Sequence, residues 1–355
     1  MSRFRLAIVG VDHPHGSGWR DLLANLDDRI ETVALVPRFG GTTTSLEECY
    51  ARLPRYDTVD ELIAKAAFDG ALVALPNDES PQAAISLARA GKHLLLEKPG
   101  AATVAAAEQI AEAVTTAGVA FQTGYMWRYD DAVARLRDMV ADGRFGKLIN
   151  VEMTFVTSDA RRRDPQHYLF DRDTSGGGFF NWLACHYLDL LLYVTGQPVV
   201  AVTARTGVFG GEAIDVEDGG AAIMDLGGGG IATFIGGYWL PRWSGEAHWT
   251  LRGSKRWVHW DPGVAGTGGV LEIHGPQPQW YATEERFTVP QDATPGYGGR
   301  NGVRLAEDWL AAATGGPPCR NTPTSFVDAL RLIDAIEQAS AEARRIECRI
   351  GPHGR

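Results

Sequence analysis

The 355 residues are enough for two domains that each bury a core, and the apolar fraction of 45% and charged fraction of 22% are ordinary for a globular protein. The net charge of −10 argues against nucleic acids and anionic membrane surfaces as partners, because both require basic patches. No apolar run reaches the ~18 residues of a membrane span, and the first apolar stretch is too short for a signal peptide, so we expect a cytoplasmic protein.

From residue 4 to about 124, short apolar runs alternate with segments of helical periodicity. The predicted strands are residues 5–10, 32–36, 70–75, 93–96 and 119–122. The predicted helices between them are residues 18–26, 59–66, 81–90 and 104–117. Unbroken apolar strands separated by helices are typical of a parallel sheet that is covered on both faces. We therefore predict an α/β fold with an N-terminal Rossmann domain, a doubly wound parallel sheet, over residues 1–124.

The pattern changes after residue 146. Longer alternating runs, punctuated by Gly and Pro, predict strands at residues 148–157, 199–208, 221–226, 231–239, 247–252 and 256–260. Helices are predicted at residues 180–194, 302–313 and 326–341. The glycine run 227–230 sits between two alternating segments, so it predicts a hairpin turn rather than a phosphate loop. Residues 125–355 are thus predicted to form an α+β domain with an open, mostly antiparallel sheet.

A dinucleotide-binding turn is expected directly after the first strand. Gly10 stands where the tight turn requires glycine, but Asp12 and His15 hold the next two glycine positions of the G-x-G-x-x-G pattern. A carboxylate near pyrophosphate is unfavourable unless it points away or caps the helix, whereas His15 and free backbone N–H groups can donate to phosphate. We assign Gly10, Asp12, His13 and His15 to the cofactor turn. A metal site of Asp12, His13 and His15 is the minor alternative, and no metal is predicted.

The second predicted strand ends without the acidic residue that usually binds the adenosine ribose. It is followed instead by Pro37 and Arg38, with Thr and Ser hydroxyls over residues 42–45. An arginine with nearby hydroxyls suits a ribose 2′-phosphate better than two free hydroxyls do, so NADP is slightly favoured over NAD. The alternative is that Arg38 is only a surface residue.

Two later motifs make the pattern specific. The first is Leu-Pro-Asn at residues 75–77, followed after a helix by Leu-Leu-Leu-Glu-Lys-Pro at residues 94–99. The second is Ser-Gly-Gly-Gly at residues 175–178, with His186 eight residues after the last glycine and Asp189 beyond it. Together with the order of the other segments along the chain, these motifs resemble the glucose–fructose oxidoreductase / inositol dehydrogenase (Gfo/Idh/MocA) family.

The resemblance implies NAD(P)-dependent hydride transfer between nicotinamide and a hydroxyl-bearing carbon of a sugar, inositol or related polyol. Pro76, Asn77 and Glu97 would contribute to cofactor binding. Lys98 would lie at the carboxyl end of a parallel strand, beside the cofactor, and its ammonium would hydrogen-bond the reacting hydroxyl and lower the pKa of that group. His186 would take up the hydroxyl proton, for which an imidazole is suited near neutral pH.

The chain departs from the family pattern near its chemistry. Family members often carry an aspartate one helical turn before the histidine, where this chain has Trp182, with Asn181 just before it. Trp182 cannot act as a base, but it can stack on a sugar ring. The further candidate substrate contacts are Trp127, Arg128, His167 and Tyr168. The resemblance also implies that residues 125–355 form the substrate-binding and oligomerisation domain, with a homodimer or homotetramer that assembles through the C-terminal sheet.

Two alternatives stay open. Some relatives keep the cofactor tightly bound and oxidise the substrate only transiently, to permit elimination or glycoside cleavage, and the missing aspartate is compatible with that chemistry. Such an enzyme would copurify with its cofactor and would not reduce added NAD(P). The second alternative is a non-catalytic ligand-binding protein, which the imperfect phosphate turn supports and the retained Lys98 and His186 argue against.

Overall fold

The computed structural model describes residues 2–10, 15–37, 50–162, 166–241, 245–262, 269–275 and 283–352. The chain divides into two compact units. The first contains residues 1–129, 173–176 and 293–327, and the second contains residues 130–172, 177–292 and 328–355. Residues 293–327 belong with the first unit because Leu305 and Trp309 share its core with Phe4, whose ring lies 5.2 Å from that of Trp309.

The first unit is built on a parallel sheet with helices between its strands. The strands are β1 (Phe4–Val9), β2 (Ile30–Val36), β3 (Gly70–Val73), β4 (His93–Leu96) and β5 (Phe121–Thr123). The helices are α1 (Gly16–Ala24), α2 (Val59–Lys65), α3 (Ser80–Arg89) and α4 (Val104–Ala117). The strand order is β2-β1-β3-β4-β5 with every pair parallel, so the order reverses between β1 and β3. The predicted Rossmann sheet is confirmed, and doubly wound sheets bind ligands at such a switch point.

Helix α4 shows how local sequence defines these elements. The Thr103 hydroxyl accepts a hydrogen bond from the Ala106 N–H at 3.2 Å and so caps the helix at its start. Gly118 ends the helix with a left-handed φ of 65°, which glycine adopts without a Cβ penalty. Between these ends, Ala107, Ile110 and Val114 recur at helical spacing and are buried.

The second unit carries a nine-stranded sheet. Its strands are β6 (Leu148–Ser158), β7 (Val199–Gly207), β8 (Gly219–Leu226), β9 (Ile231–Leu240), β10 (Gly245–Gly253), β11 (Trp257–Asp261), β12 (Val270–His274), β13 (Thr283–Thr288) and β14 (Ile346–Ile350). The sheet order is β13-β12-β11-β10-β6-β9-β8-β7-β14, and only the β6–β9 pair among them is parallel. The predicted, mostly antiparallel sheet is confirmed, with the glycine run 227–230 as the turn between β8 and β9.

The remaining helices are α5 (Asp131–Ala141), α6 (Arg172–Ser175), α7 (Cys185–Thr195), α8 (Gly299–Ala313) and α9 (Pro323–Ala341). One π-helical turn, Phe180–Ala184, leads directly into α7. Short 3₁₀ turns are Met126–Tyr129, Ala160–Arg162 and Tyr168–Phe170. Within the described part of the chain, no helix combines the length and the apolar character that crossing a membrane requires.

Candidate active site

The turn after β1 lies at the switch point of the parallel sheet. Gly10 has φ of 85°, and its N–H donates to the Val36 carbonyl at 3.0 Å. A Cβ at this position would lie 2.1 Å from the Ala74 carbonyl oxygen, at the end of β3. Both the conformation and the close approach require glycine. Gly10 therefore lets the chain turn away from β1 close to β3, at the switch point where a dinucleotide phosphate is expected.

His15 precedes α1 and faces the end of β4. Its Nδ1 lies 3.3 Å from Glu97 Oε1, and the Trp19 indole N–H donates to the other carboxylate oxygen of Glu97. Glu97 itself is buried, and its Oε1 also accepts the Lys98 backbone N–H at 3.1 Å. The carboxylate thus ties the start of α1 to the segment that follows β4 and carries Lys98.

Tyr297, which the sequence did not indicate, completes this cluster. Its ring stacks on Trp19 and packs against His15, with both pairs of ring centroids 4.8 Å apart. Its backbone N–H donates to the Gly18 carbonyl at 2.7 Å, and its hydroxyl donates to the Gly124 carbonyl at 3.2 Å. Tyr297 therefore packs residues 293–327 against the start of α1.

Lys98 and Asn77 occupy the ends of neighbouring strands. Lys98 is only 1% exposed, and its stem packs so closely on Gly124 that a Cβ there would lie 3.3 Å from Lys98 Cγ. Asn77 is buried, donates from Nδ2 to the Ser175 carbonyl at 2.6 Å, and accepts the Ala102 N–H at 3.0 Å on its own carbonyl. The Pro76 carbonyl accepts the Ser80 N–H at 2.9 Å at the start of α3. The structure brings these predicted residues to the carboxyl edge of one sheet.

A cleft of about 460 Å³ opens at the same edge, beside the ends of β1 and β2. Apolar residues of the strand ends form its floor, namely Val9, Val36, Pro37 and Leu75. The polar lining is mostly acidic and hydroxylic, with Asp57, Thr58, Asp60, Asp78, Glu79, Gln82 and Ser86. This combination of an apolar floor and a polar rim suits an adenosine moiety. Together with the glycine at position 10, the cleft fits a dinucleotide cofactor.

The other residues predicted for a site in this unit are partly outside the described residues and partly buried. Asp12, His13 and Arg38 lie outside the described residues. Arg128 is completely buried, and its guanidinium donates to the Arg320 carbonyl at 2.7 Å. Trp127 is half-buried on the same 3₁₀ turn.

In the second unit, Glu217 holds the glycine turn. Its carboxylate accepts the Gly178 and Phe180 N–H groups, each at 2.9 Å, and its carbonyl accepts the Phe179 N–H at 3.1 Å. A Cβ on Gly178 would lie 2.0 Å from the Glu217 carbonyl oxygen. The glycine is therefore required by a close approach of two backbone segments, and the carboxylate caps the N–H groups that begin the π-turn.

The segment that follows carries the predicted residues of this unit. Asn181 and Trp182 lie on the π-turn, and His186 and Asp189 lie on α7, and all four are buried. Single π-helical turns inside helices are frequent at functional sites. His167 and Tyr168 are half-buried, and the His167 side chain accepts the Leu169 N–H at 3.3 Å, so it caps a 3₁₀ turn.

Glu217 and Glu337 form a carboxylate pair beside the glycine turn. Burial, together with the neighbouring Glu217, raises the pKa of Glu337 to about 7, and Arg172 only partly opposes this shift. Burial also raises the pKa of Glu217, against the hydrogen bonds from Phe180 and Gly178. Both line a cleft of about 530 Å³ with Thr206 and Ser340. A group whose pKa is higher in the folded than in the unfolded chain favours folding only while it stays protonated.

We expect Glu337→Gln to make stability less dependent on pH. The pKa of Glu337 rises from 4.5 to about 7 on folding, so the wild type loses stability as the pH rises through this window. The variant has no proton to lose at this position. From pH 5 to pH 8, its free energy of unfolding should therefore rise by roughly 1–3 kcal/mol relative to that of the wild type. Urea titrations at both pH values measure this, with Glu342→Gln as the control, because hydrogen bonds from Gln338 and Arg344 lower the pKa of that exposed glutamate. An equal relative rise in the free energy of unfolding of Glu342→Gln would contradict the raised pKa of Glu337 as the cause.

The sequence analysis did not identify three residues that hold the candidate site residues in place, namely Trp19, Glu217 and Tyr297. Trp19 looks like any apolar helix residue, and Glu217 lies 39 positions from the glycine that it holds. Tyr297 stands between glycines at 296 and 298, and an aromatic residue flanked by glycines is its only local signal. All three act through contacts that are distant in sequence, which periodicity and motif spacing do not report.

Comparison with known proteins agrees with the geometry. Residues 4–125 match the oxidoreductase family with an NAD-binding Rossmann fold, and residues 133–259 match the GFO/IDH/MocA C-terminal domain. The chain is 27% identical over 341 residues to the rhizopine catabolism protein MocA of Rhizobium meliloti, which covers 95% of both chains. It is 28% identical over 190 residues to the inositol 2-dehydrogenase of Rhizobium meliloti (strain 1021), which covers 54% of each. A solved structure of levoglucosan dehydrogenase in complex with NADH and L-sorbose shares the fold, with a TM-score of 0.84 at 17% identity over 98% of this chain and 99% of that one.

The switch-point turn and its adjoining cleft define a Rossmann-type dinucleotide-binding protein. The chain belongs to the Gfo/Idh/MocA oxidoreductase family, as both halves of its sequence match the models of that family. The resemblance seen in the Glu-Lys-Pro and Gly-Gly-Gly motifs is thereby confirmed, and the protein is an NAD-binding oxidoreductase.

Proposed function

We propose that this oxidoreductase transfers a hydride between nicotinamide and a hydroxyl-bearing carbon of a sugar, inositol or related polyol. The observation that carries the proposal is the buried Lys98 at the carboxyl edge of the parallel sheet, next to the cluster of Glu97, His15 and Trp19. Relatives named for inositol, levoglucosan and 1,5-anhydro-D-fructose support polyhydroxylated substrates. When bound, the nicotinamide supplies the redox chemistry.

The residues of the first unit bind the cofactor and prepare the hydroxyl. Gly10 and the N-terminus of α1 receive the pyrophosphate, because backbone N–H groups there favour an anion. Glu97 orients His15 and the turn. Lys98 donates a hydrogen bond to the reacting hydroxyl, which lowers the pKa of that group and prepares it to lose its proton.

The residues of the second unit bind substrate and accept the proton. His186 takes the hydroxyl proton as general base, and Trp182 stacks on the face of the sugar ring. Asn181 supplies hydrogen bonds to hydroxyl groups, and His167 and Tyr168 add further contacts. Glu217 holds the turn from which the π-turn and α7 begin, so it is a positioning residue for Asn181, Trp182 and His186.

Two features affect the choice of nucleotide in opposite directions. Arg38 favours NADP, because a guanidinium pairs with a 2′-phosphate. The carboxylates of Asp57 and Asp60 line the cleft, where they would repel a 2′-phosphate and accept hydrogen bonds from free ribose hydroxyls. Because these carboxylates lie in the described cleft, we propose NAD, against the slight preference for NADP that Arg38 alone predicts.

The first test is a titration of cofactor-stripped protein with NADH and NADPH, followed by the fluorescence of the bound nicotinamide. We expect NADH to bind at least about tenfold more tightly, a difference of about 1.4 kcal/mol that one repelled charge can supply. Asp57→Asn should lower the ratio of the NADPH to the NADH dissociation constant. Glu112→Gln on α4, away from the cleft, should leave that ratio unchanged. Tighter binding of NADPH that Arg38→Ala abolishes would assign the cofactor as NADP. Binding of neither nucleotide would overturn the redox function.

The same preparation distinguishes the other chemistries on this fold. One alternative outcome is that the cofactor copurifies while a panel of sugars and inositols gives no net reduction of added NAD. That result would indicate transient oxidation in an elimination or glycoside cleavage. Nucleotide and sugar binding without any turnover would indicate a ligand-binding protein. Net reduction of NAD with at least one polyol supports the proposed dehydrogenase.

We also propose a homodimer or homotetramer formed through the nine-stranded sheet. Ile223 on β8 and Ile235 on β9 are 49% and 47% exposed. Ile235 is paired with Ala221, so both isoleucines project from one face of the sheet. Exposed apolar patches of this kind mark protein interfaces. Light scattering should give a multiple of the 38.4 kDa chain mass, and a monomer mass would contradict the proposal.

A further inference from the structure

Two histidines and one aspartate meet on the face of the nine-stranded sheet, outside the residues assigned to the oxidoreductase function. They are His248 on β10 and His259 and Asp261 on β11. One potential ligand atom from each lies within 4.8 Å of the other two. We propose that these three residues form a binding site for a divalent transition-metal ion of the Zn²⁺ class.

Strand register brings the three side chains together. Trp249 on β10 pairs with Trp260 on β11, and both indoles are buried. Neighbouring residues of a strand point to opposite faces, so His248 and Asp261, one step outward from this pair, face each other on the opposite side of the sheet. His259 pairs with Thr250 and projects from that same side. The backbone therefore fixes the arrangement before any ion binds.

The distances match the edges of a metal polyhedron. His248 Nδ1 lies 2.9 Å from Asp261 Oδ1, and His259 Nε2 lies 3.7 Å from the same oxygen. Two ligands at ~2.0–2.1 Å from a tetrahedral zinc lie roughly 3.3 Å apart, in the middle of this range. The two imidazole rings lie 4.3 Å apart between centroids and are inclined by 67°, and one nitrogen of each lies within 4.8 Å of the other ligand atoms.

The second nitrogen of His248 is already held. Its Nε2 lies 3.2 Å from Thr250 Oγ1 on the same strand. Ligating histidines usually use their other ring nitrogen in such a contact, which fixes the tautomer and the direction of the ligating atom. Across its 2.9 Å contact with the Asp261 carboxylate, Nδ1 can only donate, so metal binding would replace that hydrogen bond. The tautomer with its proton on Nε2, which then donates to Thr250, leaves Nδ1 able to ligate the ion.

The ligand set selects the class of ion. Two imidazole nitrogens and one carboxylate oxygen suit Zn²⁺, Co²⁺ or Ni²⁺, whereas Ca²⁺ and Mg²⁺ require oxygen ligands. The side chains are 36%, 39% and 60% exposed for His248, His259 and Asp261, so the ion can enter from solvent and keep a water as its fourth ligand. The site cross-links two adjacent strands.

The test is calorimetric titration of untagged, chelator-treated protein with zinc chloride. We expect one equivalent to bind in the wild type, and a dissociation constant raised at least about tenfold in His259→Asn and in Asp261→Asn, since even loss of a partner that only orients a ligand costs ~10–100-fold. The matched control is Asp225→Asn, an exposed carboxylate of β8 in the same sheet that pairs with Arg345 at 2.6 Å and should bind zinc as the wild type does.

Thermal unfolding gives a second readout that does not depend on heat signals. Zinc should raise the melting temperature of the wild type and of Asp225→Asn, but not that of the two site variants, because an ion that binds only the folded state stabilises it. Zinc binding of equal strength in the site variants and the wild type would overturn the proposal, as would no zinc binding at all. Displacement of the bound zinc by millimolar Mg²⁺ would also overturn the proposal.

Discussion

Lys98→Met should lose at least about 100-fold in kcat for polyol oxidation, within the ~10²–10⁴-fold that a positioned proton-transfer group contributes. The substitution removes the ammonium group and keeps a flexible side chain of similar length. Because Lys98 is 1% exposed and its stem packs on Gly124, methionine can fill the same space. The dissociation constant for NADH should change far less than kcat, since the turn at Gly10 and the cleft beside β2 remain intact.

The matched control is Lys65→Met in the same unit. The side chain of Lys65 is 63% exposed and pairs with Glu61 one helical turn away, so its removal should leave kcat unchanged. His186→Asn, assayed alongside, should also lose activity and should in addition lose the acidic limb of the profile of kcat/KM against pH, because that limb reports protonation of the free enzyme's base. A Lys98→Met enzyme that keeps more than about a tenth of wild-type kcat would contradict the role given to this lysine.

Gly178→Ala should lower the free energy of unfolding by about 3 kcal/mol or more, the upper range for overpacking a closely packed position. The added Cβ would lie 2.0 Å from the Glu217 carbonyl oxygen, and backbone cannot rotate away as the end of a flexible side chain can. The glycine turn or residue 217 must therefore move, and the two hydrogen bonds to the Glu217 carboxylate lengthen or break. Activity should fall as well, because this turn positions the segment with Asn181, Trp182 and His186.

Gly207→Ala is the matched control for this substitution. Gly207 ends β7 in the same unit, and a Cβ there would meet only the Phe209 ring at 3.7 Å, an ordinary contact. Alanine should be neutral or slightly stabilising at this position, since glycine costs more conformational entropy on folding. Urea titrations of the two variants compare the same chemical change with and without the backbone contact. Equal unfolding free energies would show that the turn can absorb a methyl group.

The sequence alone determined the strands and helices of the first unit and predicted the site residues near the strand ends. Apolar runs and helical periodicity placed the strands and helices of the first unit, because each reflects a local balance of burial and backbone geometry. Gly10 was predicted as the tight turn that ends the first strand, and the family resemblance predicted Glu97 and Lys98 just after the fourth, where parallel strands end at one edge. The hairpin at residues 227–230 followed from the glycine run between two alternating segments.

Tertiary structure decided what joins these elements. Sheet order and the parallel β6–β9 pair depend on contacts between segments far apart in the chain. The stacking of Tyr297 on Trp19 and the hydrogen bond from the Gly178 N–H to the Glu217 carboxylate depend on such contacts as well. Residues 293–327 join the first unit because Trp309 and Leu305 bury their side chains in its core, although their helical pattern fits either unit equally well. His248 and His259 lie eleven positions apart, a spacing that has no meaning until antiparallel pairing sets the register. Local patterns encode burial and backbone preference, whereas partners are chosen by the global minimum of packing free energy, and the candidate sites are made of such partners.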